Sequence, residues 1–438
     1  MTNYPMNISS YVLTAMTPSF VFMLLSLPVK NKNILQESVL ALLWMTGLSI
    51  PIYYAGRLPY ICLMSTAVWT WASSMKMGVW LFSMSMEERR QRPFYMTMLD
   101  WRKRSNDPPT TEEIKSCPTT DHVDIHLRHL IWKFVKHQFY FDAADVVIHL
   151  GDAQRIVRVF SAVLSNLFAF LGQKEKADML APTEPLTWGN LLVSTLMAML
   201  FCVYIQMQLQ VAYDECMIGF GVLYKTMSVL ERWQLGQDLG KLHAKNTHKA
   251  KMILKRVCVI RAIKSYIEDT LNMPPPFDSP WSAHSLRDFW GRRWHTYYND
   301  CFYRLGYRPI RAAVMFLFHC KPPRWLPALS VFVMSGLMHE YFLVATGSKA
   351  YLGHPLPACG LQFFFFVIQV LLIGISDKFF SRGPIGRLYT IFCMALTSHF
   401  FVVPYVLTGY LHMERLSFFR LVVHLYQGNP NLFASVDL

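Results

Sequence analysis

Charged residues are scarce in this chain. Only 16% of its 438 residues are charged, whereas a soluble domain carries about 25%. Hydrophobic residues make up 53%, and several apolar runs reach about 20 residues, enough to cross about 30 Å of hydrocarbon. This composition excludes an ordinary soluble domain. It predicts one all-α, polytopic membrane bundle over residues 1–438, because such runs are too long for the strands of a barrel.

Acidic residues are fewer than basic ones. The chain has 28 Asp and Glu against 42 Lys and Arg, which gives a net charge of +14. Basic proteins often bind nucleic acid, but here the cations lie in the segments between apolar runs. That distribution is typical of cytosolic loops beside anionic headgroups. We therefore expect the lipid bilayer as a partner, and no nucleic acid.

Several motifs of metal binding and catalysis are missing. The nine cysteines contain no CxxC pair, which argues against a zinc ribbon or a disulfide framework. There is no Gly-rich phosphate loop, and Met334-Ser-Gly336 lacks the first glycine of a nucleophile elbow. A zinc-protease motif needs a second histidine four residues after His339, and Leu343 occupies that position. We expect neither a metal ion nor a covalent serine intermediate.

The apolar runs predict about eight membrane spans. Lys and Arg follow the first, third and seventh runs, so the positive-inside rule places those loops in the cytosol and the N-terminus in the lumen. This topology defines a cytosolic insertion at 84–187 and a cytosolic loop at 230–325, and the endoplasmic reticulum is the expected membrane. Val157–Leu171 is apolar but short, so it is either re-entrant or at the surface. The first charge is Lys30, so we expect the first span to be an anchor and not a cleaved signal peptide. The predicted spans are 10–28, 35–54, 59–83, 188–208, 212–229, 326–346, 359–377 and 388–410.

The loop at 230–325 begins with a strongly basic segment. Apolar residues recur there at helical spacing beside the basic face: Ile253, Val257, Ile260, Ile263 and Ile267. Such a helix either lies in the membrane interface or packs against the bundle.

His339 lies within the predicted span 326–346. An ionisable residue at that depth is expensive and usually functional. Burial disfavours the charged imidazolium, and a neutral imidazole can accept a proton as a general base. Ser335 lies one helical turn earlier on the same face, while Glu340 and Tyr341 add further polar groups that could contact a substrate. The alternative is a structural histidine whose hydrogen bonds are made within the core.

A polar and aromatic segment, His284–His295, lies about fifty residues upstream of His339, and we call it the Arg-Trp block. Arginine forks match phosphate oxygens, and tryptophan rings can stack on a flat ring. A thioester carrier such as coenzyme A offers both groups, although the block also fits a positive-inside cluster with interfacial tryptophans. The predicted donor-binding residues are Arg287, Arg292, Arg293, Trp290 and Trp294. His295 and Asn299 add polar groups after the block.

Two motifs resemble the membrane-bound O-acyltransferase superfamily, and within it the wax-synthase-like branch. Ser285-Leu-Arg-Asp-Phe-Trp-Gly-Arg-Arg-Trp294 resembles that branch's signature, and Ser335-Gly-Leu-Met-His-Glu-Tyr341 resembles the histidine motif shared with sterol and diacylglycerol acyltransferases. The two occur in the family's order, and the resemblance is strong over 280–345. It implies that His339 is the catalytic base and that acyl-CoA is the co-substrate. His295 stands where the family commonly has asparagine.

The family resemblance also implies a reaction. Acyl-CoA enters from the cytosol and meets a lipophilic alcohol in a tunnel within the bundle. His339 takes the proton of the alcohol, while His295 or Asn299 orients the reactants or stabilises the oxyanion. The insertion at 84–187 resembles fungal members that acetylate terpenoid hydroxyls, so acetyl transfer is expected.

Three other functions stay open from the sequence. A long-chain wax ester synthase is the alternative within the same enzyme class. A transporter would place His339 in a permeation path, but the sequence shows no internal repeat. A degenerate acyltransferase that only binds lipid is the third possibility, and the histidine at 295 is the feature that supports it.

Overall fold

A computed structural model describes most of the chain. Every regular element within the described ranges is helical, as the composition predicts. The described ranges are 7–27, 33–99, 120–180, 184–238, 247–272, 275–294, 297–347, 353–354, 356, 358–380, 383–412 and 417–427. His295 lies outside these ranges.

The described ranges form seventeen α-helices, numbered in chain order. Short π-helical turns extend three of them, at Val79–Ser83, Phe289–Arg293 and Tyr303–Tyr307. The helices are α1 Ile8–Ser26, α2 Ile34–Tyr53, α3 Tyr60–Gly78, α4 Met86–Gln91, α5 Phe94–Leu99, α6 Thr120–Leu150, α7 Gln154–Phe170, α8 Lys174–Met179, α9 Trp188–Asp238, α10 Thr247–Leu271, α11 Leu286–Asp288, α12 Asn299–Phe302, α13 Arg308–Phe318, α14 Trp325–Thr346, α15 Leu361–Phe379, α16 Gly383–Leu407 and α17 Phe418–Gln427.

Six of the described helices are long and apolar enough to cross a membrane: α1, α2, α9, α14, α15 and α16. The protein is therefore an all-α, multi-pass membrane protein. The predicted span 59–83 corresponds to α3, which is not among the six. Its last two turns bury polar side chains such as Ser73, Ser74 and Lys76, so this helix faces protein along that stretch.

The prediction of two spans at 188–208 and 212–229 is wrong. A single helix, α9, runs through both segments, and its 51 residues extend over about 77 Å at 1.5 Å per residue. Gln210 and Asp214, two polar residues of this stretch, are buried and paired. Asp214 accepts hydrogen bonds from Gln210 at 3.0 Å and from His137 of α6 at 2.6 Å. These partners let the helix continue, because a buried polar group is costly only when it is unsatisfied.

The chain forms two compact units. The first contains 1–101, 146–203 and 278–438, and the second contains 102–145 and 204–277. In the first unit α14 packs along α15, α15 packs along α16, and α1, α2 and α3 pack on one another. Helix α7 also packs against α16, so the apolar segment Val157–Leu171 buries one face on protein.

In the second unit α10 packs against α9. Glu231 of α9 binds Arg261 and Lys264 of α10 at 2.7 Å and 2.9 Å. Val257 and Ile260 are 4% and 7% exposed, so this part of the apolar stripe faces protein. Ile263 of the same stripe is 38% exposed, so a position in the membrane interface and packing on the bundle both stay predictions.

Candidate active site

His339 lies on α14 and contacts α16 through a hydrogen bond. Its Nδ1 atom is 3.2 Å from the hydroxyl oxygen of Tyr405. Tyr405 is only 4% exposed, and its ring contacts Phe401 and Tyr410 at 5.4 Å and 4.9 Å between centroids. The packed tyrosine fixes the position of the hydroxyl and, through it, one nitrogen of His339.

Aromatic rings surround the imidazole. The ring of Phe366, on α15, stacks on His339 with centroids 4.7 Å apart and an angle of 21°. Phe401 and Phe342 meet the imidazole edge-on at 5.3 Å and 6.1 Å. This aromatic enclosure limits rotation of the imidazole ring. His339 is therefore held in one orientation by three helices.

The structure connects the Arg-Trp block to His339 through Phe366. Trp290 contacts Phe366 with centroids 5.7 Å apart, and its indole N–H donates to Gln369 Oε1 at 3.2 Å. Gln369 is fully buried and donates to Thr397 at 3.2 Å. Trp290 and His339 thus pack on the same phenylalanine, although they are 49 positions apart in the sequence.

The three predicted phosphate-binding arginines form ion pairs with carboxylates. Arg292 and Arg293 both bind Asp288 at 2.7 Å, and Arg287 binds Asp377. Burial of Asp288 opposes its ionisation, but the hydrogen bonds from Arg293 and Arg292 outweigh that effect and lower its pKa. The hydrogen bond to Asp377 also favours a charged group, because it raises the pKa of Arg287. A phosphate at these arginines would have to compete with the carboxylates.

Trp294, also predicted to bind the donor, is buried within the block. It stacks on Phe289 with centroids 5.3 Å apart and an angle of 19°. Trp281 meets it edge-on at 6.4 Å. The stacking on a flat ring that we predict for Trp294 is made with Phe289 in this structure.

The predicted substrate residues on α14 face different neighbours. Ser335 is buried and shares the face of His339, four residues away. Tyr341 is two residues after His339, so its side chain points about 200° around α14 from the imidazole. Its hydroxyl forms a hydrogen bond with the hydroxyl of Thr70 on α3, 2.8 Å away. The proposed site can therefore include Ser335 beside His339, while Tyr341 belongs to the contact with α3.

Glu340 caps the following helix. Its Oε1 accepts hydrogen bonds from the backbone N–H groups of Gln362 and Phe363 at 3.0 Å and 3.2 Å. These are the second and third residues of α15, whose N-terminus favours a negative charge. Glu340 thus fixes α15, which carries Phe366, relative to α14, which carries His339.

Asn299 and the histidine before it complete the predicted site. Asn299 is exposed at the first position of α12, and its predicted role as an orienting donor stays a prediction. His295 lies outside the described residues. Among the described residues, no cluster of three or more His, Cys, Asp or Glu side chains could hold a metal ion.

Sequence reasoning missed Tyr405, Phe366 and Gln369. Gln369 and Tyr405 are polar groups inside apolar spans, and that signal marks functional positions in membrane helices. The signal does not identify their partners, because Tyr405 and His339 are 66 positions apart.

A family model matches part of the chain. Residues 273–368 match the model of the membrane bound O-acyl transferase family, and this range contains both motifs. The match supports the resemblance drawn from the sequence.

Three similar proteins carry the names of plant acyltransferases. A long-chain-alcohol O-fatty-acyltransferase of Simmondsia chinensis is 31% identical over 144 residues, which is 31% of this chain and 38% of that protein. A probable long-chain-alcohol O-fatty-acyltransferase 3 of Arabidopsis thaliana is 26% identical over 177 residues, 38% of this chain and 49% of the relative. An acyl-CoA–sterol O-acyltransferase 1 of Arabidopsis thaliana is 33% identical over 100 residues, 22% and 26% of the two chains. The chain spans less than half the length of each of these relatives. The long-chain-alcohol names support the wax-synthase-like branch.

Proposed function

We propose that this protein is a membrane-bound O-acyltransferase that moves an acyl group from acyl-CoA to the hydroxyl of a lipophilic alcohol. The observation that carries the proposal is a histidine inside a candidate span, held by Tyr405 and Phe366 and joined through Phe366 to the Arg-Trp block. The family match over the same residues supports it.

His339 acts as the general base in this proposal. A neutral imidazole that donates through Nδ1 to Tyr405 carries its lone pair on Nε2. Nε2 takes the proton of the acceptor hydroxyl while the oxygen attacks the thioester carbonyl. The C–S bond then breaks, and the thiolate of CoA takes the proton from the imidazolium. The products are an ester and free CoA, and no metal ion takes part.

The surrounding residues position the reactants. Tyr405 holds the tautomer and the ring plane of His339, while Ser335 on the same helix face contacts the acceptor. His295 or Asn299 stabilises the developing oxyanion, and the aromatic enclosure limits attack by water. Acyl-CoA is bound only during the reaction.

Acetyl is our proposal for the acyl group, and a terpenoid alcohol for the acceptor. A long-chain donor with a fatty alcohol is the second candidate, and the names of the plant relatives favour it. The proposed location is the endoplasmic reticulum, with the Arg-Trp block in the cytosol.

A donor and acceptor panel tests the proposal. Microsomes that contain the protein receive labelled acetyl-CoA or palmitoyl-CoA with a set of terpenoid and fatty alcohols, and microsomes without it are the control. A labelled ester that depends on the protein supports acyl transfer, and the donor that gives it decides between the two candidates. Absence of ester with every pair contradicts the proposal.

A further inference from the structure

The hydroxyl of Tyr405 can bond His339 in two directions, and the direction decides which imidazole nitrogen carries the proton. If Tyr405 donates to Nδ1, the neutral ring is protonated on Nε2 and has no lone pair there. If Tyr405 accepts from an Nδ1–H group, the lone pair is on Nε2. The 3.2 Å between Nδ1 and the hydroxyl oxygen fits both directions. The choice therefore depends on where the proton of the tyrosine hydroxyl goes.

Gln362 is a polar residue beside this contact. It is the second residue of α15 and is fully buried. Its side-chain amide donates from Nε2 to the backbone oxygen of Phe401 on α16 at 2.6 Å. That carbonyl points along α16 toward Tyr405, because a helical C=O faces the residue four positions later. The amide of Gln362 is thus held at the level of Tyr405, within interaction distance of the tyrosine hydroxyl.

The bond to Phe401 also fixes the orientation of the Gln362 amide. If the amide were turned over, two oxygens would face each other, and neither carries a proton to share. Oε1 is therefore the atom left for a second partner. Among the described residues it accepts no hydrogen bond, although it is buried. A buried acceptor without a donor is unusual and costly, so Oε1 favours a nearby hydroxyl that can turn its proton toward it.

The backbone of Gln362 is fixed as well. Its N–H group donates to Glu340 Oε1 at 3.0 Å, and Glu340 directly follows His339 on α14. The backbone of Gln362 is therefore bonded to α14 and its side chain to α16. These two bonds hold the glutamine in place relative to the two helices that carry His339 and Tyr405.

We propose that Gln362 is a positioning residue that selects the tautomer of His339 through Tyr405. The hydroxyl of Tyr405 donates its proton to Gln362 Oε1 and accepts the hydrogen bond from Nδ1–H of His339. The lone pair of the neutral imidazole is then on Nε2, the atom that takes the proton of the acceptor hydroxyl. The catalytic use of this tautomer rests on the proposed acyl transfer, whereas the tautomer itself does not.

Solid-state NMR of the protein in lipid nanodiscs, with its histidines labelled with nitrogen-15, measures the tautomer directly, because protonated and unprotonated ring nitrogens differ in chemical shift. The chain has 15 histidines, so the difference from His339→Ala assigns the two signals of His339. Gln362→Met removes the acceptor and keeps an unbranched side chain. Gln210→Met is the matched control, because Gln210 is a buried glutamine of the second unit that donates to Asp214 at 3.0 Å.

We expect Nδ1 of His339 to carry the proton in the wild type and in Gln210→Met. In Gln362→Met the hydroxyl proton of Tyr405 turns to His339, so Nε2 should become the protonated nitrogen. In the ester assay kcat should then fall about ten- to a hundredfold at constant KM, because one favourable hydrogen bond is lost and an opposing one forms. The double variant Gln362→Met/Tyr405→Phe should recover to the level of Tyr405→Phe alone, because no hydroxyl remains to hold the wrong tautomer.

A proton on Nε2 of His339 in the wild type would overturn the proposal, and that measurement does not require Gln362→Met to fold. An unchanged tautomer in folded Gln362→Met would also overturn it. So would a double variant that is less active than either single variant, since that result indicates a purely structural role. The spectra need no substrate and are independent of catalysis. The expected tautomers without ester from any donor would contradict the proposed function and leave the positioning role of Gln362 intact.

Discussion

Removing the hydroxyl of Tyr405 should slow the reaction without weakening substrate binding. Tyr405→Phe deletes the 3.2 Å contact with His339 Nδ1 and keeps the ring that packs on Phe401 and Tyr410. A neutral hydrogen bond contributes about 0.5–1.5 kcal/mol, which corresponds to a fall in kcat of roughly 2- to 12-fold at 1.4 kcal/mol per decade. KM should stay constant, because Tyr405 acts through His339 and does not contact the donor.

The assay is ester formation in nanodiscs with the donor and acceptor found active. Tyr11→Phe is the matched control, since Tyr11 is also buried and bonds Thr66 at 2.6 Å away from His339. A double-mutant cycle with His339→Ala separates positioning from general destabilisation. Once His339 is absent, Tyr405→Phe should cost nothing further. An undiminished kcat in Tyr405→Phe, or a full additional loss in the His339→Ala background, would refute the positioning role.

Three further predictions concern the scaffold of the site. Gly336→Ala should destabilise the protein by about 1–3 kcal/mol, because the added Cβ would lie 2.9 Å from the backbone of Phe363. Thermal unfolding measures this loss, and Gly374→Ala is the control because the space around Gly374 is open. Glu340→Ala should lower the free energy of unfolding by about 0.5–2 kcal/mol through loss of the cap on α15, and an unchanged melting temperature would contradict that role. The pKa of Asp288 is lowered by Arg293 and Arg292, so its stabilising effect is complete above about pH 4 and is lost as the pH falls through its folded pKa. Unfolding midpoints at pH 6 and pH 3 should therefore differ more in the wild type than in Asp288→Asn, and equal differences would contradict the prediction.

The sequence predicts the parts of this protein whose signal is local. His339 is visible because an ionisable group in an apolar run is rare, and the Arg-Trp block is visible because arginine and tryptophan are concentrated there. The helical membrane architecture follows from the length of the apolar runs in the same way.

Other features depend on partners that are distant in the sequence. The predicted spans 188–208 and 212–229 form one helix, α9, in which Gln210 and His137 of α6 satisfy the buried Asp214. Glu340 looks like a substrate contact, yet its partners are backbone N–H groups 22 and 23 positions later. A pattern within one segment cannot identify such pairings.

The most direct test of the central claim is the rate of ester formation by His339→Ala. A general base contributes about 10²- to 10⁴-fold, so the account predicts a loss of at least that order while the protein stays folded and membrane-bound. His399→Gln is the control, because His399 is a buried histidine of the same unit that bonds Ser194 at 2.8 Å, and it should keep most of the activity. Ester formation at the wild-type rate in His339→Ala would show that this histidine is structural and would contradict the proposed mechanism.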